Sequence, residues 1–178
     1  MATRTRMSAD ERREAVLDAA MIEFGQNGLQ ATTTDAIARR VGVSQPYLFR
    51  LFPSKKAIFL AAIQRCFDRI SDMFEEAAGD LPPSDALRAI GLAYNSLLEN
   101  RETLQLQLQM WAVACQDEEV RDVTRRGMGR LWAHAQRLSG ADDQEIMQFM
   151  AKGMLLNVFA AMDLPRIKER LGDSLQGW

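Results

Sequence analysis

The chain has 178 residues, of which 47% are apolar and 26% charged, and its formal net charge is −2. That length can bury a core without disulfides or metals, and no apolar run approaches the ~18 to 20 residues needed to span a bilayer. The opening MATRTRMSADERREAV has basic residues with no apolar stretch behind them, so no secretory signal and a cytoplasmic location are expected.

The charge is unevenly spread. Residues 1–56 hold nine Lys and Arg against six Asp and Glu, and the remainder thirteen against eighteen. Any nucleic-acid surface is therefore expected in the first third. Cys66 and Cys115 lack C-x-x-C spacing and lie on apolar-rich helical stretches, which reads as two buried free thiols.

Thr3, Arg4, Thr5 and Arg6 form a short basic arm of the kind that reaches a groove or phosphates; a merely solvated terminus is the equal alternative. Ser8 and Glu11 have capping-box spacing and open a first helix running to about Phe24, with Val16, Leu17, Ala20 and Phe24 on one face. Gly25-Gln26-Asn27-Gly28 is expected to stop it. Thr32, Thr33 and Thr34 follow, and one of them must cap a second helix over about 35–41, at a terminus that suits an anion.

That second helix carries Ile37, Ala38 and Val41 at helical spacing, and Gly42 falls where a left-handed residue would end it. Ser44 caps a third helix over about 45–51, and Pro46 fits in its first turn. Leu48 and Leu51 face inward, which leaves Gln45, Tyr47 and Arg50 outward with side chains suited to base edges. The small Ala38 lets the two helices cross closely, so the unit reads as a helix-turn-helix. An A-x-x-x-G turn alone would equally fit an ordinary helical hairpin.

Phe52-Pro53-Ser54-Lys55-Lys56 comes next. With it, Ala20 to Phe24, Gly28 and ATTTDAIARRVGVSQPYLFRLFPSKKAIFLAAI from Ala31 to Ile63 resemble the DNA-binding half of the TetR family of bacterial transcriptional regulators. The pattern T-x-x-x-I-A-x-x-x-G-V-S followed by F-P-S-K is met at every spacing. The chain departs from the family where Phe49 replaces a frequent Tyr and Leu51 a Tyr or His, so Arg50 and Tyr47 are left to take over part of that contact.

The resemblance implies an all-α fold. Residues 1–53 would form a helix-turn-helix domain, the helix from 54 a connector, and residues 54–178 a helical ligand-binding and dimerisation domain. It further implies a homodimeric repressor on a palindromic double-stranded operator, released by a small apolar or aromatic effector, with no cofactor or membrane partner. Candidate DNA contacts are Thr33, Thr34, Ser44, Gln45, Pro46, Tyr47, Phe49, Arg50 and Lys55. Among these, Gln45 and Tyr47 are the expected readers of base edges, and Thr33, Thr34 and Lys55 the expected phosphate contacts.

A long fourth helix is expected from Lys55 to about Ala78, capped by Ser54 and ended at Gly79. Leu81-Pro82-Pro83-Ser84 is the clearest break, with Ser84 capping a helix over 85–99. Further helices are expected over 101–115, 117–138 and 143–162, the last with an Asp142/Glu145 cap, and a short one over 165–171. Leu104 to Gln109 alternates like a strand but sits between helical segments without turn residues, and is read as helix. Phe67, Met73, Phe74, Tyr94, Met110, Trp111 and Trp132 are the material of an apolar pocket, although core packing accounts for each singly. Gly153, Asn157, Ala160 and Ala161 are small residues at spacings that would let a partner helix approach. His134 has no partner carboxylate at a useful spacing and is expected at the surface or an interface.

No nucleophile elbow, phosphate loop or zinc spacing is present in the sequence, so an enzyme is not expected. The alternative in another class is a helical protein-interaction module without sequence-specific DNA binding.

Overall fold

A computed structural model describes residues 8–163. The basic arm at Thr3 to Arg6 and the expected short helix over 165–171 lie outside the described residues. Within them the chain forms eight helices and no strand: α1 (Ala9–Ala31), α2 (Thr34–Val41), α3 (Gln45–Leu51), α4 (Lys55–Ala78), α5 (Pro83–Leu97), α6 (Arg101–Ala114), α7 (Glu118–Ser139) and α8 (Asp143–Ala161).

Local chemistry sets most of the boundaries. Ser8 accepts the Glu11 N–H at 3.1 Å and Glu11 returns to the Ser8 N–H; Asp142 and Glu145 repeat the exchange at 2.9 Å in both directions. Each pair satisfies two of the N–H groups that a helix start leaves without an internal partner. Ser54 caps α4 as expected by accepting from the Ala57 N–H. The start of α5 differs from the expectation. Pro83 occupies its first turn, where its fixed φ suits the helix, no side chain caps the end, and Ser84 lies inside. Asn100 then accepts the N–H groups of Glu102 and Thr103, ending the α5–α6 turn before residue 101.

The first helix runs past Phe24 to the far end of its expected stop. Gly25 continues the helix because it is where α1 meets α6: a Cβ there would lie 3.2–3.3 Å from Gln105 Cβ, Glu102 O and Leu106 N. The break comes at Gly28, the last residue of that stretch, with φ 70° and ψ 174°. Steric closeness to a helix remote in sequence, not turn chemistry, accounts for the first glycine.

The interior is one continuous cluster from Val16 on α1 to Phe149 on α8, so no gap in packing marks the change from residue 53 to residue 54. A smaller cluster of Leu98, Leu104 and Leu156 lies beside it. α6 packs against α1, α4, α7 and α8. Being covered on several sides, it buries Leu104, Leu106 and Met110 and also Thr103 and Gln107, which explains why its sequence alternates like a strand yet folds as a helix.

α4 and α7 approach closely enough that a Cβ at Gly127 would lie 2.2 Å from the Phe67 ring. His134 on α7 is paired rather than free. Its Nδ1 lies 2.6 Å from Ser71 Oγ and its Nε2 2.9 Å from Glu75 Oε1, both on α4. The partner carboxylate is supplied across the helix interface, where sequence spacing cannot find it. His134 first, and Arg137 after it, hold the Glu75 carboxyl below the usual carboxylate range. Cys66 is buried, with its thiol pushed up to about 12 by burial, as expected of a structural thiol; Cys115 is exposed at the end of α6, contrary to expectation, because the turn into α7 leaves it outside the core.

Candidate nucleic-acid interface and apolar cleft

α2 and α3 are joined by a turn in which Gly42 adopts φ 77° and ψ 32°. Its N–H and that of Val43 both reach the Ala38 carbonyl at 3.0 Å, closing α2 with a left-handed cap. Ala38 and Leu48 are buried at the crossing. The unit is then bolted to α1. Glu23, 9% exposed, accepts Arg40 Nε at 2.8 Å and Asn27 Nδ2 at 3.3 Å, while Thr32 Oγ1 donates to the Glu23 carbonyl. Arg13 donates to the Leu51 carbonyl and stacks 4.3 Å from the Phe52 ring centroid.

The three threonines divide their work. Thr32 ties the turn to α1; Thr33 caps α2 by accepting the Ala36 N–H; Thr34 accepts Gln45 Nε2 at 2.7 Å. Thr34 is only 9% exposed, so its hydroxyl serves first to hold Gln45. Ser44 caps α3 by accepting the Tyr47 N–H, and Pro46 lies in the first turn. Gln45, Phe49 and Arg50 are exposed and Tyr47 is half-buried. Two guanidiniums flank the Tyr47 ring, Arg50 at 5.2 Å and Arg12 at 5.4 Å. Arg12 comes from α1, and no spacing signal in the sequence brings it to α3. The result is a fixed, polar and cationic face built on a buried scaffold.

The two lysines that open α4 have separate roles. Lys55 Nζ donates to the carbonyls of Gln30 and Thr32 at 3.0 and 2.9 Å, filling acceptors left by the end of α1. Lys56 Nζ lies 2.8 Å from Asp117 and 2.9 Å from Glu119, the residues that open α7. Its pKa is raised, first by the bond to Asp117 and then by that to Glu119, and Asp117 is held below its usual range first by Lys56. The reading unit is thus clamped to the helices behind it through the first turn of α4.

Behind that clamp lies an apolar cleft, partly open to solvent. Of the seven residues expected to form a pocket, Phe67, Phe74, Tyr94 and Trp111 line it. Met110 is fully buried in the core and Met73 and Trp132 pack against that core, and none of the three lines the cleft. Met128 and Leu131 of α7, Phe149 and Met150 of α8 and Gln107 of α6 also line it, and Gln107 adds an amide head to the Tyr94 hydroxyl and the Trp111 indole. Its alternating sequence context gave no sign that it points inward.

Of the four small residues on α8, Asn157 is buried within the chain, whereas Gly153, Ala160 and Ala161 are half-buried. Asn157 is fully buried and donates to Tyr94 Oη and to the Gly153 carbonyl, Gly153 lines the cleft, and Ala160 packs beside Leu156. The exposed large apolar residues of α8 are Met147, Met154, Leu155 and Val158, with Met162 just beyond.

The family model described as "Bacterial regulatory proteins, tetR family" matches residues 16–62. Over 65 residues the chain is 43% identical to the HTH-type transcriptional activator FasR of Mycolicibacterium smegmatis, a match covering 36% of this chain and 30% of that one. It is 28% identical over 159 residues to the HTH-type transcriptional regulator BetI of Rhizobium meliloti, covering 86% of this chain and 78% of BetI. A crystal structure of a TetR-like transcriptional regulator from Rhodococcus sp. RHA1 superimposes with a TM-score of 0.67 at 25% identity, covering 87% of this chain and 85% of that one.

Proposed function

This chain belongs to the TetR family of bacterial regulatory proteins, and from that premise we propose that it is an operator-binding transcriptional repressor, active as a homodimer and released by a small apolar effector. The observation that carries the reading is the face of α3. Gln45, Tyr47 and Arg50 project from a helix whose inner residue Leu48 is buried and whose entry is capped by Ser44. A short helix held this rigidly presents a fixed pattern of donors and acceptors to a major groove.

In this reading Gln45 and Tyr47 meet base edges, and Arg50 and Arg12 meet a guanine or nearby phosphates. Lys55 and the Thr33 end of α2 set register on the backbone. Residues 1–53 serve DNA and the helices from residue 54 onward serve effector and partner. Two copies pair through the apolar outer face of α8, placing the two α3 helices in successive major grooves about 34 to 36 Å apart. An effector seated beside Phe67 and Phe74 bears on α4, and through α4 on the Lys55 and Lys56 contacts. Effector and operator then bind with negative coupling, which is reciprocal.

The test is selection of bound fragments from a random duplex pool, followed by titration of the selected sequence at several salt concentrations. A palindromic consensus with steep salt dependence is expected. No enrichment, or binding indifferent to salt, would replace this reading with that of a helical protein-interaction module.

A further inference from the structure

The polar groups at one end of the cleft form a directed chain. The Gly153 carbonyl can only accept, so Asn157 must present its Nδ2 to it, at 2.9 Å. The same Nδ2 donates to Tyr94 Oη at 2.7 Å, which leaves the Tyr94 hydrogen to be donated onward, to Gln107 Oε1 at 3.0 Å. With its oxygen thus engaged, Gln107 carries Nε2 at the free end of the relay. Gln107 is 3% exposed and lines the cleft, and its Nε2 has no hydrogen-bond partner among the described residues. One backbone carbonyl therefore fixes the orientation of a buried amide three side-chain groups away. A buried donor without a partner costs free energy until something accepts from it.

The rest of the wall determines what that acceptor can be. Among the described residues no Asp, Glu, Lys, Arg or His lines the cleft, and burial pushes the Tyr94 hydroxyl up to about 12, so it stays neutral. A carboxylate or ammonium brought in here would lose its water without gaining a counter-charge. The remaining wall is aromatic rings, branched aliphatics and the adaptable thioethers of Met128, Met150 and Met154. We infer that the cleft is a binding site for an uncharged, predominantly apolar molecule bearing a carbonyl oxygen, such as a ketone, ester or lactone, with Gln107 Nε2 as the donor that orients it. The identification of this molecule as the effector rests on the regulatory function proposed above.

Isothermal titration of the full chain with long-chain methyl ketones, beside the fatty acids, primary amines and terminal alkenes of matched length, tests this. Ketones are expected to bind at least as tightly as the alkenes and more tightly than either charged series. Gln107→Leu should weaken ketone binding about 3- to 10-fold, the loss of one neutral hydrogen bond, and leave alkene binding unchanged. Tyr94→Phe, which frees the Gln107 amide to turn, should reduce the ketone preference by a smaller factor; it provides an independent reading if the Gln107 variant fails to fold. Absence of ketone binding, tighter binding of the fatty acids, or ketone binding indifferent to both substitutions overturns the proposal. Release from the selected operator is scored separately. A ketone that binds through Gln107 yet leaves the protein on DNA keeps the site and removes the effector reading.

Discussion

Gln45 and Lys55 open successive helices, α3 and α4, but do different physical work. Gln45 is held at its Nε2 by Thr34, which leaves the amide oxygen of a positioned side chain for a base. Gln45→Ala is expected to cost about 1 to 3 kcal/mol and to relax preference at a single operator position, seen by titrating a set of single-base operator variants. Lys55 is a point charge already held against two carbonyls. Lys55→Ala should weaken binding to every sequence and lower the salt slope by about one. Equal losses across all sequences from both substitutions would show that the division between base reading and backbone contact is mistaken.

Between elements, α4 and α7 meet closely at Gly127. Phe67 sits where a Cβ on Gly127 would overlap its ring, and the same ring lines the cleft. Gly127→Ala must therefore drive the ring toward the cleft or part the helices. The expected cost is about 1 to 3 kcal/mol of stability, typical of overpacking, together with weaker binding of any cleft ligand. Urea unfolding that gives an unchanged midpoint for this variant would mean that the interface yields more easily than its geometry indicates.

Over the whole molecule, the Lys56 clamp between the start of α4 and the start of α7 links the reading unit to the helices behind it. The Asp117 pKa is lowered from 3.8, so its contribution is fully present above that value and is lost as pH falls through the folded pKa. The Lys56 pKa is raised from 10.5, so its contribution is fully present below that value and is lost as pH rises through the folded pKa. The stability difference between the parent chain and Lys56→Met should accordingly be flat between those two values and shrink beyond either. A difference that persisted in acid would assign the effect to packing of the lysine stem. Pairing of two copies is tested at Leu155, which is exposed on the outer face of α8. Leu155→Glu is expected to yield a monomer in sedimentation with a large loss of operator affinity, and a dimer that survived it would place the interface elsewhere.

The reading unit was legible in the sequence because its determinants are near neighbours in the chain. A cap and the N–H it satisfies lie three residues apart, as at Ser8, Ser44, Ser54 and Asp142, and a left-handed glycine is set by its own backbone. Periodicity likewise separated Leu48 from Gln45, because a short helix covered on one side shows its inner face plainly. Where several helices cover one another, that signal disappears. Gln107 and Asn157 are polar residues turned inward, Met110 belongs to the core rather than the cleft, and Gly25 serves close approach to α6 rather than a stop. Arg12 beside Tyr47 and Glu75 beside His134 are meetings between helices distant in sequence. Local hydrogen bonding and helical period could be read from the order of residues, whereas the inward or outward sense of a face on a multiply covered helix, and hence the donor at the end of the cleft, was decided only when the helices packed.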